Sequence, residues 1–455
     1  MMSDLSQRIA ALSPAKRELF MRQLRNKKGD VQPNAVSNTA SIAMTVEELK
    51  AAAYLEPEIR PAGKFAVYCS EPVSVLLTGV TGFIGAFLLD ELLKQTQADI
   101  YCLVRASDVN KGKHRIQKNL ESYLIWDESK SSRIIPIIGD LNQPLLGLSD
   151  QEFQEMAKQI DVIYHCGALV KWTYPYKTLK AANVFGTKEI IRLACQSQVK
   201  PLHFISTVGV FSSPTYNSNI VTEQEELENS GALYGGYAQT KWVAEKLVTI
   251  AGSRGLPISI YRPNTEGHSQ TGVFNEHDHL CKILKGCIQL GSAPIDLNIA
   301  VASAPIDYVS QAIIYLSRQN QSLGKVFHLV NPNPLEWHEW INSISSIGYP
   351  LKQLPYDKWK AELMSQIRSS QNNELYTLSP IFSDALLEYS KLPVFDCKNT
   401  LDGLAGTSII CPSMDSKLLN TYFSYFIRSG FLDAPQIGGE LEEDNELPLR
   451  NAGFR

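Results

Sequence analysis

The chain reads as an α/β protein built on a doubly wound parallel Rossmann sheet, with a smaller, mainly helical C-terminal substrate subdomain. Three observations predict it. From Val73 onward, short β-branched runs alternate with longer helical patterns. The first run leads into a glycine-rich turn that opens a helix. After about residue 333 the alternation gives way to helical, aromatic-rich sequence such as "LEWHEWINSI" and "LKQLPYDKWKAEL".

The strands, in order, are "VSVLLT", "DIYCLV", "RIIPIIG", "DVIYHC", "LHFIST", "ISIYRP" and "VFHLVN". Strands alternating with helices imply βαβ units and parallel pairing. The uncharged stretch from Pro72 to Leu89 has the length of a membrane span. Its threonine- and glycine-rich middle divides it into a strand, a turn and a helix, so no membrane partner is expected. Before the sheet, residues 1–30 carry two short helical patterns with Ser13-Pro14 as a start signal. Six Lys/Arg against one Glu fall between Ala15 and Lys28, and residues 27–45 are a polar linker. At the other end, five acids between Glu440 and Glu446 mark residues 436–455 as a disordered acidic tail.

With 455 residues, 44% hydrophobic and 20% charged, the composition is that of an ordinary soluble chain. A net charge of −4 gives no reason to expect nucleic acid. Eight cysteines lie scattered without a C-x-x-C pair, which reads as reduced thiols in a cytoplasmic protein. The N-terminus lacks the apolar run of a signal peptide.

Gly79, Gly82 and Gly85 are spaced G-x-x-G-x-x-G after the first strand. Glycines there let the turn tighten and the backbone approach a pyrophosphate at the helix N-terminus. An acid ending the second strand would bind the ribose 2′-hydroxyl of NAD. This strand ends "CLVRASD", with Arg105 twenty residues after Gly85. Arginine cannot accept that bond but suits a 2′-phosphate, so the cofactor expected is NADPH. Arg115 either adds a second cation or sits on a solvated helix face. Asp140 and Leu141, ending the third strand, fall beside the adenine.

In "YGGYAQTKWVAEKL", Tyr237 and Lys241 are four apart and share a helix face. YxxxK alone is weak evidence. Tyr234 competes with Tyr237, but it is seven residues from Lys241 and precedes the helix.

The ordered set "TGVTGFIG", "CLVRA", "GDL", "HCGALVKWTYPY", "NVFGT", "ISTVGVF", "YGGYAQTKWVAE", "GHSQTG" and "PIDYV" resembles the extended short-chain dehydrogenase/reductases. More narrowly, it is similar to the thioester reductase domains of nonribosomal peptide and polyketide synthases and of carboxylic acid reductases. The likeness runs from about Val73 to Phe431. It implies a Thr207–Tyr237–Lys241 triad and NADPH-dependent reduction of a thioester carried on a phosphopantetheinylated carrier protein. Tyr237 and Thr207 would donate to the carbonyl oxygen as charge develops there. Lys241 would lower the Tyr237 pKa and hold the nicotinamide ribose. The product would be an aldehyde, with an alcohol after a second cycle. The matched motifs also assign Thr78, Thr81, Phe83, Ile84, Cys166, Gly167, Ala168, Asn183, Arg262 and Pro263 to the cofactor. Lys171, Trp172, Tyr174, Tyr176, Asn264, Glu266 and His268 fall to the substrate mouth; for the aromatic ones core packing is the alternative. The resemblance implies a monomer. Residues 46–435 would form the reductase, with 73–265 mainly its NADP-binding core and 266–435 mainly the substrate subdomain with some Rossmann elements. Residues 1–45 either dock to a partner chain or pack on their own domain.

The family usually reads R-P-G where this chain reads "RPNTEGHSQTG", so Asn264 and Glu266 add a side chain and a carboxylate near the nicotinamide, and Lys171 replaces a commoner asparagine. No D-S-L carrier motif or adenylation domain is present, which implies a free-standing reductase or a terminal module. "NEHDHLCK" groups Glu276, His277, Asp278, His279 and Cys281 like metal ligands, but the reaction needs no metal and none is expected. Cys166 could act as a nucleophile, yet nothing marks an adjacent base, so it is assigned to the cofactor wall. Alternatives to thioester release are a fatty acyl-CoA reductase, a nucleotide-sugar epimerase or dehydratase, and a non-catalytic NADPH-binding protein.

Overall fold

The computed structural model describes residues 43–61, 71–171, 173–213, 220–297, 299–369, 372–382 and 393–435. The leader helices, most of the linker, the acidic tail and Trp172 lie outside the described residues. From Met44 onward the described residues belong to one compact unit.

Seven strands form one sheet: β1 (Ser74–Thr78), β2 (Asp99–Val104), β3 (Ile134–Ile138), β4 (Val162–His165), β5 (Leu202–Ile205), β6 (Ile258–Pro263) and β7 (Val326–Leu329). Each falls within one of the seven runs read from the sequence. Their order is β7-β6-β5-β4-β1-β2-β3. Every pairing is parallel. The helices are α1 (Val46–Ala52), α2 (Phe83–Gln95), α3 (Val109–Ser122), α4 (Asp150–Gln159), α5 (Tyr176–Lys180), α6 (Gly186–Cys195), α7 (Gly236–Ser253), α8 (His279–Leu290), α9 (Ile306–Ser317), α10 (Trp337–Ser346), α11 (Tyr356–Ser369), α12 (Lys398–Leu404) and α13 (Ser416–Arg428).

Strands covered on both faces need apolar residues at every position, not only alternate ones. β1, "SVLLT", is buried throughout for this reason. Its Leu76, with Ile163, Phe204 and Ile260, packs on one face against Ile190 of α6 and Trp242 and Leu247 of α7. Val75 and Leu77 face the other way, toward Leu88 and Leu92 of α2 and Val309 and Ile313 of α9. A separate aromatic core joins α8, α10, α11 and α13 through Trp337, Trp340, Trp359, Tyr422 and Phe423. That core is the helical C-terminal part. The later elements α9 and β7 return to the sheet.

Strand order reverses between β1 and β4, which lie side by side. Connections leave such a pair in opposite directions, so a crevice opens at their C-terminal ends. The uncharged stretch Pro72–Leu89 is β1, its turn and the start of α2. Among the described residues no helix is long and apolar enough to cross a membrane.

Trp242 is fully buried, and its indole N–H donates to the Leu227 carbonyl at 2.9 Å and the Ser230 hydroxyl at 3.1 Å. Trp242→Ala should cost about 3–5 kcal/mol through the cavity it leaves. Urea denaturation would measure this, and a loss below about 1 kcal/mol would contradict the packing described.

Candidate active site

A cavity of about 530 Å³ lies in the crevice, reaching from the glycine turn after β1 to the start of α8. The turn depends on close backbone approach. Gly79 has φ +81°, and a Cβ there would sit 2.7 Å from the Gly167 nitrogen after β4. A Cβ on Gly85 would collide with the Gly79 carbonyl. Gly82 differs: its Cβ would meet only that carbonyl, at 3.3 Å. Backbone is therefore open to the cavity where a pyrophosphate would approach the first turn of α2. From α3, the Asn119 amide donates to the Val80 carbonyl at 3.2 Å and pins the loop.

The turn is tied to β4 beneath the cavity. The Gly167 N–H donates to the Thr78 hydroxyl at 2.9 Å, which lies 2.7 Å from His165 Nδ1. His165 Nε2 lies 3.0 Å from the Thr187 hydroxyl, which donates onward to the Asn183 carbonyl at 2.7 Å. Thr187 has one proton and spends it on Asn183, so His165 Nε2–H donates and Nδ1 accepts from Thr78. Burial pushes the imidazole down to about 3, which keeps it in that neutral form.

Of the expected cofactor residues, Gly79, Thr81, Gly82, Phe83, Ile84, Gly85, Arg105, Arg115, Asp140, Leu141, Cys166, Gly167, Ala168 and Pro263 line the cavity. Arg115 Nη1 donates to the Arg105 carbonyl at 2.7 Å, so α3 holds this guanidinium at the end of β2. Arg115 is also exposed on its helix, so it fits the solvated-face reading as well. The residues present fit a nicotinamide dinucleotide: glycines where its pyrophosphate would pass and cations at the end of β2.

Thr78, Asn183 and Arg262 are not on the cavity wall. Thr78 is spent on the tie just described. Asn183 accepts from the Leu169 N–H at 2.7 Å and donates to the Leu169 carbonyl and the Thr240 hydroxyl. Arg262 is buried and donates to Glu245 Oε1 through Nε at 3.0 Å and Nη2 at 2.6 Å.

Thr207, Tyr237 and Lys241 meet on this wall. Thr207 follows β5, and its hydroxyl oxygen accepts from the Gly209 N–H at 3.1 Å, which fixes its rotamer. Gly235, at φ +80°, turns the chain into α7 so that Tyr237 occupies the first turn. Lys241 Nζ donates to the Ile205 carbonyl at 2.7 Å and lies 4.1 Å from the Phe204 ring centre. Burial lowers its pKa to about 8, because a charge there has lost its water. Burial also raises the Tyr237 phenol above its ordinary value, with Cys166 and Asp278 adding to the rise. Desolvation outweighs the expected lowering by Lys241, so the net shift of the Tyr237 pKa is upward. Cys166 is likewise pushed up to about 12 by burial, which suits a wall and not a nucleophile.

At the substrate end only Asn264 of the expected residues that are described lines the cavity. Lys171 and Tyr174 are exposed, and Tyr176 packs on the core under α7. Any Cβ on Gly236 would strike the Tyr174–Tyr176 backbone, so this segment lies on the start of α7. His268 Nδ1 accepts from the N–H groups of Gln270 and Thr271 and holds its own turn. Glu266 is fully buried off the wall, and burial raises its pKa well above the carboxylate range.

Two residues set aside in the sequence prove to be wall residues, Asp278 and His279. Asp278 caps α8 by accepting from the Leu280 N–H at 2.8 Å and lies 3.4 Å from His279 Nδ1. That carboxylate raises the His279 pKa despite the opposing effect of burial. The signal was the acid–histidine cluster after "GHSQTG", which resembles metal ligands but for which no metal was expected. Among the described residues no three metal-ligating side chains converge.

Known proteins share this arrangement. Residues 77–313 match the NAD-binding family model described as male sterility protein. A linear gramicidin synthase polypeptide of Brevibacillus parabrevis is 41% identical over 84% of this chain, which covers 8% of that protein. Glycine betaine reductase ATRR of Emericella nidulans is 36% identical over 86% of this chain and 31% of its own length. The chain thus spans only a minor part of such relatives. Among solved structures, the terminal R domain from the myxalamid PKS-NRPS biosynthetic pathway is 46% identical, with TM-score 0.81 over 86% of this chain and all of that one. The likeness carried by the motifs and the likeness to these proteins agree.

Gly85→Ala should weaken binding of the nicotinamide cofactor by more than about tenfold, since the added methyl must displace backbone. Fluorescence titration would test this; unchanged affinity would mean the turn does not cradle the cofactor.

Proposed function

Because the chain belongs to the NAD-binding family described as male sterility protein, we propose that it is an NADPH-dependent reductase that releases a carrier-bound acyl or peptidyl thioester as an aldehyde. The observation that carries this reading is one cavity shared by Thr207, Tyr237, Lys241, the glycine turn and both arginines. The substrate would arrive on the phosphopantetheine arm of a carrier protein. Support for that partner comes from relatives named as a linear gramicidin synthase and a PKS-NRPS terminal domain.

When bound, the nicotinamide supplies the hydride that reduces the carbonyl carbon. The rest of the chemistry falls to this chain's side chains. As the carbonyl π pair moves onto oxygen, that oxygen needs donors already in place. Tyr237, kept protonated by burial, gives it the phenolic proton, and the Thr207 hydroxyl supplies a second hydrogen bond. Lys241 stabilises the phenolate that Tyr237 becomes, from a position set by the Ile205 carbonyl. The thiohemiacetal then loses its hydroxyl proton as the carbon–sulfur bond breaks. The departing thiolate takes up a proton, leaving an aldehyde and a free thiol. A second cycle on the aldehyde gives the alcohol.

NADPH is preferred to NADH on the charge at the end of β2. Arg105 stands where a 2′-hydroxyl acceptor would be needed, and Arg115 is anchored beside it.

Tyr237→Phe should lower kcat for an acyl-pantetheine thioester about 10²–10⁴-fold while NADPH still binds. NADPH absorbance would follow the reaction; a variant as fast as wild type would remove Tyr237 from the role of donor. Arg105→Ala should raise the NADPH KM about tenfold or more, the worth of one charged hydrogen bond, and leave NADH nearly unaffected. An equal effect on both cofactors would sink the 2′-phosphate assignment.

A further inference from the structure

Glu245 lies one turn beyond Lys241 and two beyond Tyr237 on α7, and four-residue steps keep all three on one side of the helix. It is 1% exposed and does not line the cofactor cavity. One of its oxygens, Oε1, accepts both Arg262 hydrogen bonds; the other, Oε2, accepts from the Ser206 hydroxyl in a short bond. Ser206 is the residue before Thr207. Arg262 precedes Pro263 and Asn264, both on the cavity wall.

Consecutive residues at the end of β5 are therefore gripped from the same helix. Lys241 holds the Ile205 carbonyl, and Glu245 holds the Ser206 side chain. The Ser206 N–H donates to the Tyr261 carbonyl at 2.6 Å, which ties the same point to β6. Arg262 is fixed in turn. Its Nη1 donates to His328 Nε2 at 3.1 Å, and its guanidinium lies 4.9 Å from the Phe211 ring centre. Burial pushes His328 down to about 3, so it is neutral and accepts from Arg262 while its Nδ1–H donates to the Asp396 carbonyl at 2.7 Å. A buried charged pair contributes little net stability against an apolar pair of the same shape. What this one supplies is a fixed position at a chain segment that bears the reaction.

We infer that Glu245 is a positioning residue: through Ser206 and Arg262 it sets the Thr207 hydroxyl and the Pro263–Asn264 wall at their working distance from Tyr237. This rests on the reductase reading. Two hydrogen-bond donors serve one carbonyl oxygen only if their spacing is held, and a displacement of about 1 Å costs roughly 10²-fold in rate.

The test is Ser206→Ala beside Glu245→Gln in the full chain, each assayed with NADPH and an acyl-pantetheine thioester. NADPH affinity is measured by fluorescence and thermal midpoint in parallel. Ser206→Ala removes only the hydroxyl and is the variant that keeps the idea falsifiable where Glu245→Gln does not fold. The expected result is kcat lowered roughly ten- to hundredfold, with KM and NADPH affinity within about twofold of wild type. The isotope effect with deuterated NADPH should also rise, because the chemical step becomes slower. Ser206→Ala with wild-type kcat overturns the inference, as does a fall in NADPH affinity and thermal midpoint that accounts for the whole loss. Wild-type protein inert toward every thioester removes the reductase reading and the inference with it, an outcome distinct from a wild-type enzyme whose variants are unimpaired.

Discussion

Where β1 and β4 end side by side, backbone has to lie against backbone, and most of the site follows from that contact. Gly79 can occupy its position only because it lacks a side chain and tolerates positive φ. Gly167 answers it from β4, and its N–H is held by the Thr78 hydroxyl. A neutral His165 continues the connection into α6 through Thr187. One cavity above this contact is lined by the glycine turn and by Tyr237 and Lys241.

Desolvation raises the pKa of Tyr237, Cys166 and Glu266. The same effect brings Lys241 down to about 8, leaving the ammonium form predominant at neutral pH but less firmly held than on a surface. His279 runs against the trend because the Asp278 carboxylate sits beside it. The wall that carries Tyr237 and Lys241 also carries Asp278, whose carboxylate lies beside His279.

Much of this was legible in the residues. The seven β-branched runs became the seven strands, since burial on both faces demands apolar residues throughout. The spacing of Gly79, Gly82 and Gly85 marked the turn, and Arg105 marked the end of β2. Less legible was the division between residues that face the cavity and residues that hold those facing it. Thr78, Asn183, Arg262 and His268 sit within or beside recognisable motifs, yet each spends its polar atoms on the surrounding protein. Motif membership is a statement about position along the chain and is silent on the direction of a side chain.

The sequence by itself determined the order and type of the elements, the glycine turn and the four-residue step from Tyr237 to Lys241, because these are local and periodic. Only the tertiary structure decided which groups are desolvated and which are paired across the chain. Glu266 became a buried acid, Arg262 a partner for Glu245, and Asp278 and His279 part of the cavity wall. Burial and long-range hydrogen bonding depend on segments far apart in sequence, such as Ser206 meeting Glu245 across 39 residues. No local pattern encodes them.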